Sequence, residues 1–260
     1  MMMLAPGALG PEFVRHSVAV PEAKISYVVR QRGGPWLVLI PGSFNSAVVY
    51  QRMISRLDAR VSILIVELAG HGESWPPVPD GTIPQFAREV LAAVDAAGVK
   101  QFYVGGHSIG GMVAIEIAGQ RPGALRGVIS MEGWTHHSVA QAAFRGKQQE
   151  TATPAILAER QAFREAGAGR WTPEQMKAFA RIWRTWSGLE ILEKTRVPVL
   201  EIWGDRGHGP VARSTMQIPE RKNIEVEWIR GASHSLPVEA PEPLGDVVNA
   251  YLARQERWTK

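Results

Sequence analysis

"FYVGGHSIGGMVAIEIAGQ", residues 102–120, decides how this chain is read. Its start is a short apolar run of the kind that forms a buried strand. Its second half reads as an amphipathic helix (MVAIEIAGQ, 112–120). Between the two lies Gly106-His107-Ser108-Ile109-Gly110, a G-x-S-x-G spacing. Alone, that pentapeptide says little, because glycine and serine are common. Set between a strand and a helix, it describes a sharp turn. The glycines let backbone segments approach closely, and the serine hydroxyl projects at the helix N-terminus. A phosphate-cradling turn would need G-x-G-x-x-G or a Lys-Ser/Thr ending, and neither is present. Ser108 is therefore the candidate nucleophile.

Reading outward, residues 36–40 (WLVLI), 61–66 (VSILIV), 127–131 (GVISM) and 197–203 (VPVLEIW) are further near-continuous apolar runs. Runs of this kind fit strands covered by helices on both faces. Residues 13–20 and 24–30 alternate apolar and polar positions and predict antiparallel strands at a sheet edge. Residues 224–229 (IEVEWI) are a shorter alternating run. Helical segments are predicted over 83–97, 109–120 and 243–254. The alternation gives an α/β class with a mostly parallel sheet flanked by helices. One interval is long: about 60 residues separate the sixth strand from the seventh. Thr172-Pro173-Glu174-Gln175 reads as a capping box with proline in the first turn, and Thr153-Pro154 as a second helix start ending near Gly167-Ala168-Gly169. The expected organisation is a core of residues 1–133 and 197–260 with a helical cap over 134–196.

Composition narrows the function. At 260 residues and 45% apolar content, one large core can form. There is no cysteine, so disulfides, thiolate catalysis and cysteine-based zinc sites are excluded. No cofactor and no metal is expected. The formal charge is +4, and residues 141–196 account for it, with ten Lys/Arg against six Asp/Glu. No dense basic run with interleaved aromatics accompanies it, which argues against nucleic-acid binding. The excess reads as a solvated basic surface, with a preference for anionic substrates as the alternative. The first thirteen residues have no charged start and too short an apolar run for a signal peptide, and no stretch of ~20 apolar residues predicts a membrane span. A cytoplasmic protein is expected, with a homodimer left open.

The chain resembles the α/β-hydrolase superfamily over nearly its whole length. The likeness rests on "LIPGSFNS" (39–46), "ELAGHGES" (67–74), "GGHSIGG" (105–111), "WGDRG" (203–207) and "GASHSLPVEAPE" (231–242). It departs where many members carry His-Gly after the third strand, since this chain has Pro41-Gly42. A serine hydroxyl needs a base, and seven histidines are available: 16, 71, 107, 136, 137, 208 and 234. The resemblance implies a late histidine and so points to His234. It also implies an oxyanion hole of two backbone N–H groups, from Ile109 and from Ser43, with Phe44 next to it.

The carboxylate that orients the base is contested. Many relatives place it three residues after the glycine that ends the seventh strand, and here that position is Gly207. Asp205 is two residues early, where relatives carry a structural acid. Glu132 directly follows the sixth strand, as in some haloalkane dehalogenases and in zearalenone-type lactone hydrolases. A charge at the end of a buried strand is costly unless paired. Glu132 is the favoured acid and Asp205 the alternative. A serine nucleophile sets aside the dehalogenase and epoxide-hydrolase branches, which use aspartate. An ester or lactone hydrolase for an apolar or aromatic small molecule is expected. Phe44, Trp134, Trp183 and Trp186 are candidate pocket residues, although an aromatic stripe on a helix often packs into the core. The alternatives are a carbon–carbon hydrolase or lyase on the same Ser/His machinery, and a non-catalytic receptor.

Overall fold

Eight strands form the sheet, and the central ones are buried on both faces. The computed structural model describes residues 9–144 and 152–257; residues 1–8 of the N-terminal stretch and 145–151 of the expected cap lie outside the described residues. The strands are β1 (Val14–Ala19), β2 (Lys24–Arg30), β3 (Trp36–Ile40), β4 (Ser62–Val66), β5 (Phe102–His107), β6 (Leu125–Met131), β7 (Val199–Gly204) and β8 (Ile224–Ile229). They form one sheet in the order β1-β2-β4-β3-β5-β6-β7-β8. β1 pairs antiparallel with β2, and β2 with β4; every later pairing is parallel. β4, β5 and β7 are buried at every position, as a strand between two helical layers must be. β8, at the far edge, keeps the half-exposed alternation of its sequence.

The helices are α1 (Gln51–Ile54), α2 (Ile83–Ala96), α3 (Ile109–Gln120), α4 (Ser138–Phe144), α5 (Pro154–Ala168), α6 (Pro173–Phe179), α7 (Leu189–Lys194), α8 (Leu236–Glu239) and α9 (Pro241–Gln255). α3 is apolar nearly all round rather than amphipathic as expected, because it lies against β5 and β6 and is flanked by α2 and α7. α9 and α1 cover the opposite face, where Leu244, Val248 and Tyr251 join Met53 and Ile54 in a second core. α5 and α6 start where the sequence signals them. Thr153 accepts from the N–H of Ile156, and Thr172 and Gln175 close the expected capping box. Among the described residues, no helix is long and apolar enough to cross a membrane.

The described residues of 134–196 divide into parts that lie in different places. α5 and α6 cover the C-terminal edge of the sheet. α7 instead lies on α3, with Ile191 against Gly119. The covering segment thus returns to the helical layer before the seventh strand begins. Trp186 belongs to that return. It is 7% exposed, and its indole N–H donates to Glu116 of α3 at 2.8 Å. The expectation that Trp186 lines the pocket is corrected: a fully buried indole needs an acceptor, and Glu116 supplies one away from the cavity.

Candidate active site

The turn between β5 and α3 holds Ser108 in a conformation that side chains rarely adopt, φ 56° and ψ −121°. Two glycines make the turn possible. A Cβ on Gly106 would lie 2.1 Å from the carbonyl oxygen of Gly110, and one on Gly110 would lie 2.1 Å from that of Ile40. The serine N–H donates to Met131 at 2.9 Å, which ties the turn to the end of β6. Glu132 follows at once, also at positive φ (55°), with its N–H donating to Ile202 of β7. Two neighbouring strand ends thus present the serine and the carboxylate at the same edge.

His234 stands between them. Its Nε2 is 3.0 Å from Ser108 Oγ, and its Nδ1 is 3.1 Å from Glu132 Oε2. Glu132 is wholly buried. Its Oε1 accepts from the N–H of Gly204 and from Arg206 Nη1, each at 2.8 Å, and its Oε2 accepts from Arg206 Nη2 at 2.6 Å. Burial pushes its pKa upward, but the hydrogen bonds from His234 and Arg206, with their charges, outweigh that and hold it below the usual glutamate value. The ion pair therefore contributes stability at neutral pH that is lost only as the pH falls below about 4.

Asp205 does something else. Its Oδ1 accepts from the N–H groups of Gly207 (2.8 Å) and Gly231 (2.7 Å), joining the two loops that follow β7 and β8. Of the two competing carboxylates, only Glu132 is hydrogen-bonded to His234. A buried arginine was not foreseen. Arg206 is 2% exposed, grips both oxygens of Glu132, donates to the carbonyl of Gly204, and lies 3.6 Å above the Phe144 ring. The sequence contained one signal for it. A carboxylate at the end of a buried strand demands compensation, and the arginine sits beside the expected acid turn. Arg206→Met is expected to shift the acid limb of the kcat/KM profile upward by about one to three pH units, the size of a lost opposite charge. An unmoved limb with a lowered unfolding midpoint would reduce Arg206 to a structural role.

The loop carrying His234 is fixed from three sides. Trp134 stacks on the imidazole at 5.3 Å between centroids and 25° between planes. His107 is 2.6 Å through Nε2 from the carbonyl oxygen of His234. Burial first, and the neighbouring His234, push the His107 pKa down to about 3, so a neutral imidazole donates that bond. Glu239 accepts from the Ser233 N–H and hydroxyl at 2.5 and 2.7 Å. His71 is buried with Nδ1 3.0 Å from the Ala69 carbonyl. Its ring lies against Phe44, Trp171 and Phe179, so the loop after β3 and the residues around α6 meet there.

Two cavities open on the serine and share Ser43, Ser108 and His234. The larger, about 430 Å³, continues past Phe44, Asn45 and His107 to the α5 face. The smaller, about 280 Å³, is walled by Ile109, Met112, Trp134, Ala140 and Trp183. Ser43, Phe44, Ile109, Trp134 and Trp183 are thus all brought to the serine, and Trp186 is not. Ile109 heads α3, so its N–H has no carbonyl within the helix to satisfy it.

A family model described as the alpha/beta hydrolase family matches residues 37–247. The chain belongs to the alpha/beta hydrolase family. A protein of Azorhizobium caulinodans named "Putative carbamate hydrolase RutD" is 31% identical over 113 residues, which is 44% of this chain and 42% of that relative. The match therefore spans less than half of the relative's length. A RutD of Stutzerimonas stutzeri is 23% identical over 249 residues, 85% of this chain and 92% of the relative. Among solved structures, this alpha/beta hydrolase is similar in fold to Est816, described as an N-acyl homoserine lactone degrading enzyme. The TM-score is 0.72 at 19% identity, covering 91% of this chain and 100% of that one. It is similar also to the carboxylesterase CesB of Bacillus subtilis, with TM-score 0.68 at 18% identity, covering 93% and 92%. Among the described residues of this alpha/beta hydrolase, no group of three or more His, Asp or Glu side chains could hold a metal ion.

Proposed function

We propose that this alpha/beta hydrolase cleaves carboxylic esters or lactones whose carbonyl lies beside an apolar or aromatic portion. The observation that carries the reading is the unbroken hydrogen-bond chain Ser108–His234–Glu132, at 3.0 and 3.1 Å, opening into cavities on the serine side. Ser108 Oγ attacks the carbonyl carbon as its proton passes to His234 Nε2. Glu132 keeps the imidazole in the tautomer that accepts this proton and stabilises the imidazolium that results. The N–H groups of Ile109 and Ser43 take the developing oxyanion. The collapsing intermediate expels the alcohol, protonated by His234. Water, deprotonated by the same histidine, then releases the acid from the acyl-enzyme. The smaller cavity, with its two tryptophans, suits the apolar portion.

A carbamate is the second reading, favoured by the carbamate-hydrolase name of the RutD relatives, and the same carbonyl chemistry serves it. The testing experiment treats the protein with a fluorophosphonate and locates the adduct by peptide mass spectrometry, beside a turnover assay on a matched aryl ester and aryl carbamate. A single adduct on Ser108 and faster ester turnover are expected. An adduct with faster carbamate turnover moves the assignment to the second reading. An adduct with neither activity points to carbon–carbon cleavage, and no adduct at all removes the serine mechanism.

A further inference from the structure

The two cavities differ in charge as well as size. α5 turns one face toward the larger one. Leu157, Arg160, Gln161 and Arg164 all line it, at the three- and four-residue spacings that align side chains along one side of a helix. Among the described residues that line it there is no aspartate or glutamate. The acids of α5 have partners of their own: Glu159 accepts from Arg52 at 3.0 Å, and Glu165 from the amide of Gln161, itself a lining residue, at 2.7 Å. Arg164 lies over the Phe44 ring at 4.7 Å, and among the described residues no carboxylate is within salt-bridge distance of it. Arg160 has one weak partner, Glu239 at 3.8 Å, whose oxygens are already taken by Ser233 and Ser235. His107, at the floor, is neutral by virtue of its lowered pKa of about 3. A cavity beside the nucleophile therefore presents two guanidinium groups with little to neutralise them, and stacking on Phe44 orients one of them.

We infer that this cavity binds a carboxylate on the substrate, so that the preferred ester is half apolar and half anionic, straddling Ser108. This rests on the serine-hydrolase reading above and extends it to a substrate class. The apolar portion occupies the chamber of Trp134 and Trp183. The carboxylate meets Arg164 and Arg160, with Asn45, Gln161 and Ser235 as further polar neighbours. Guanidinium groups suit this role because they pair with carboxylates through two parallel N–H bonds. Part of the positive excess of residues 141–196 then serves the site.

The test uses two pairs of aryl esters. In one pair the acyl chain ends in a carboxylate or in its methyl-capped counterpart. In the other pair the carboxylate or its cap is on the alcohol side. In one of the pairs, the charged ester is expected to show a kcat/KM about 10- to 100-fold above its capped partner, the range of a charge-assisted contact. That ratio should fall with added salt and collapse, mainly through KM, in Arg160→Gln/Arg164→Gln. Arg164→Gln alone breaks no ion pair and should lose part of the ratio; Arg164→Lys should keep some of it. Ratios near one in both pairs, or a ratio untouched in the double variant, would overturn the inference. If the capped esters are still hydrolysed and Ser108→Ala stops them, the hydrolase reading stands without it. If none of the four esters is turned over, both fall together.

Discussion

Alanine in place of Ser108 is expected to lower kcat on an activated ester by about 10⁴- to 10⁶-fold, the range seen when a nucleophile that works as part of a unit is removed. The change deletes one oxygen and leaves the turn intact, because alanine and serine face the same steric problem at φ 56°. KM and the unfolding midpoint should therefore move little. His234 loses a hydrogen-bond partner at Nε2 but keeps Glu132 at Nδ1 and its stack on Trp134. Burst and steady-state assays with thermal unfolding of the same preparations check this. Residual turnover above about a tenth of the parent rate would mean that another group attacks the carbonyl.

The second large effect separates the two carboxylates. Glu132→Gln should cost about 10²- to 10⁴-fold in kcat, as loss of the orienting acid does. Glutamine keeps the shape and can still accept from Arg206 and Gly204, but it brings no charge to stabilise the imidazolium. It also leaves Arg206, 2% exposed, with no anionic partner. The unfolding free energy should fall by up to about 3–5 kcal/mol as a result. Asp205→Asn should behave in the opposite proportion. It weakens two backbone bonds that hold the loops after β7 and β8, so the cost falls on stability, about 1–2 kcal/mol. kcat at temperatures where the protein stays folded should change less than about tenfold. A larger kcat loss for Asp205→Asn than for Glu132→Gln would reverse the assignment. Each pair of values comes from one preparation, which keeps folding and chemistry apart.

The fold was legible because its signals are local. Apolar runs at 36–40, 61–66 and 197–203, and capped starts at Thr153 and Thr172, depend on neighbours within a few positions. The serine turn was legible for the same reason. Glu132 was reachable by a physical argument, since a carboxylate ending a buried strand needs a partner. For Arg206 that need for a partner was the one signal, and it did not place the side chain, because its burial depends on Phe144, 62 positions earlier, folding beneath it. Trp183 and Trp186 show the same limit. Three residues apart, they share a helical-looking stripe, yet one lines a cavity and the other bonds Glu116. The chain leaves its 3-10 turn at Trp186, so the stripe never continues. Periodicity within a segment cannot say where that segment comes to rest.

The backbone at Ser108 sets durability against turnover. At φ 56° and ψ −121° a residue with a Cβ is strained by about 1–3 kcal/mol, and glycine is not. A library sorted only for survival on heating would reward glycine at this position, and every such winner would have discarded the attacking oxygen. Directed evolution of this enzyme therefore needs a selection that reads product, because heat alone favours a well-folded protein with an empty elbow.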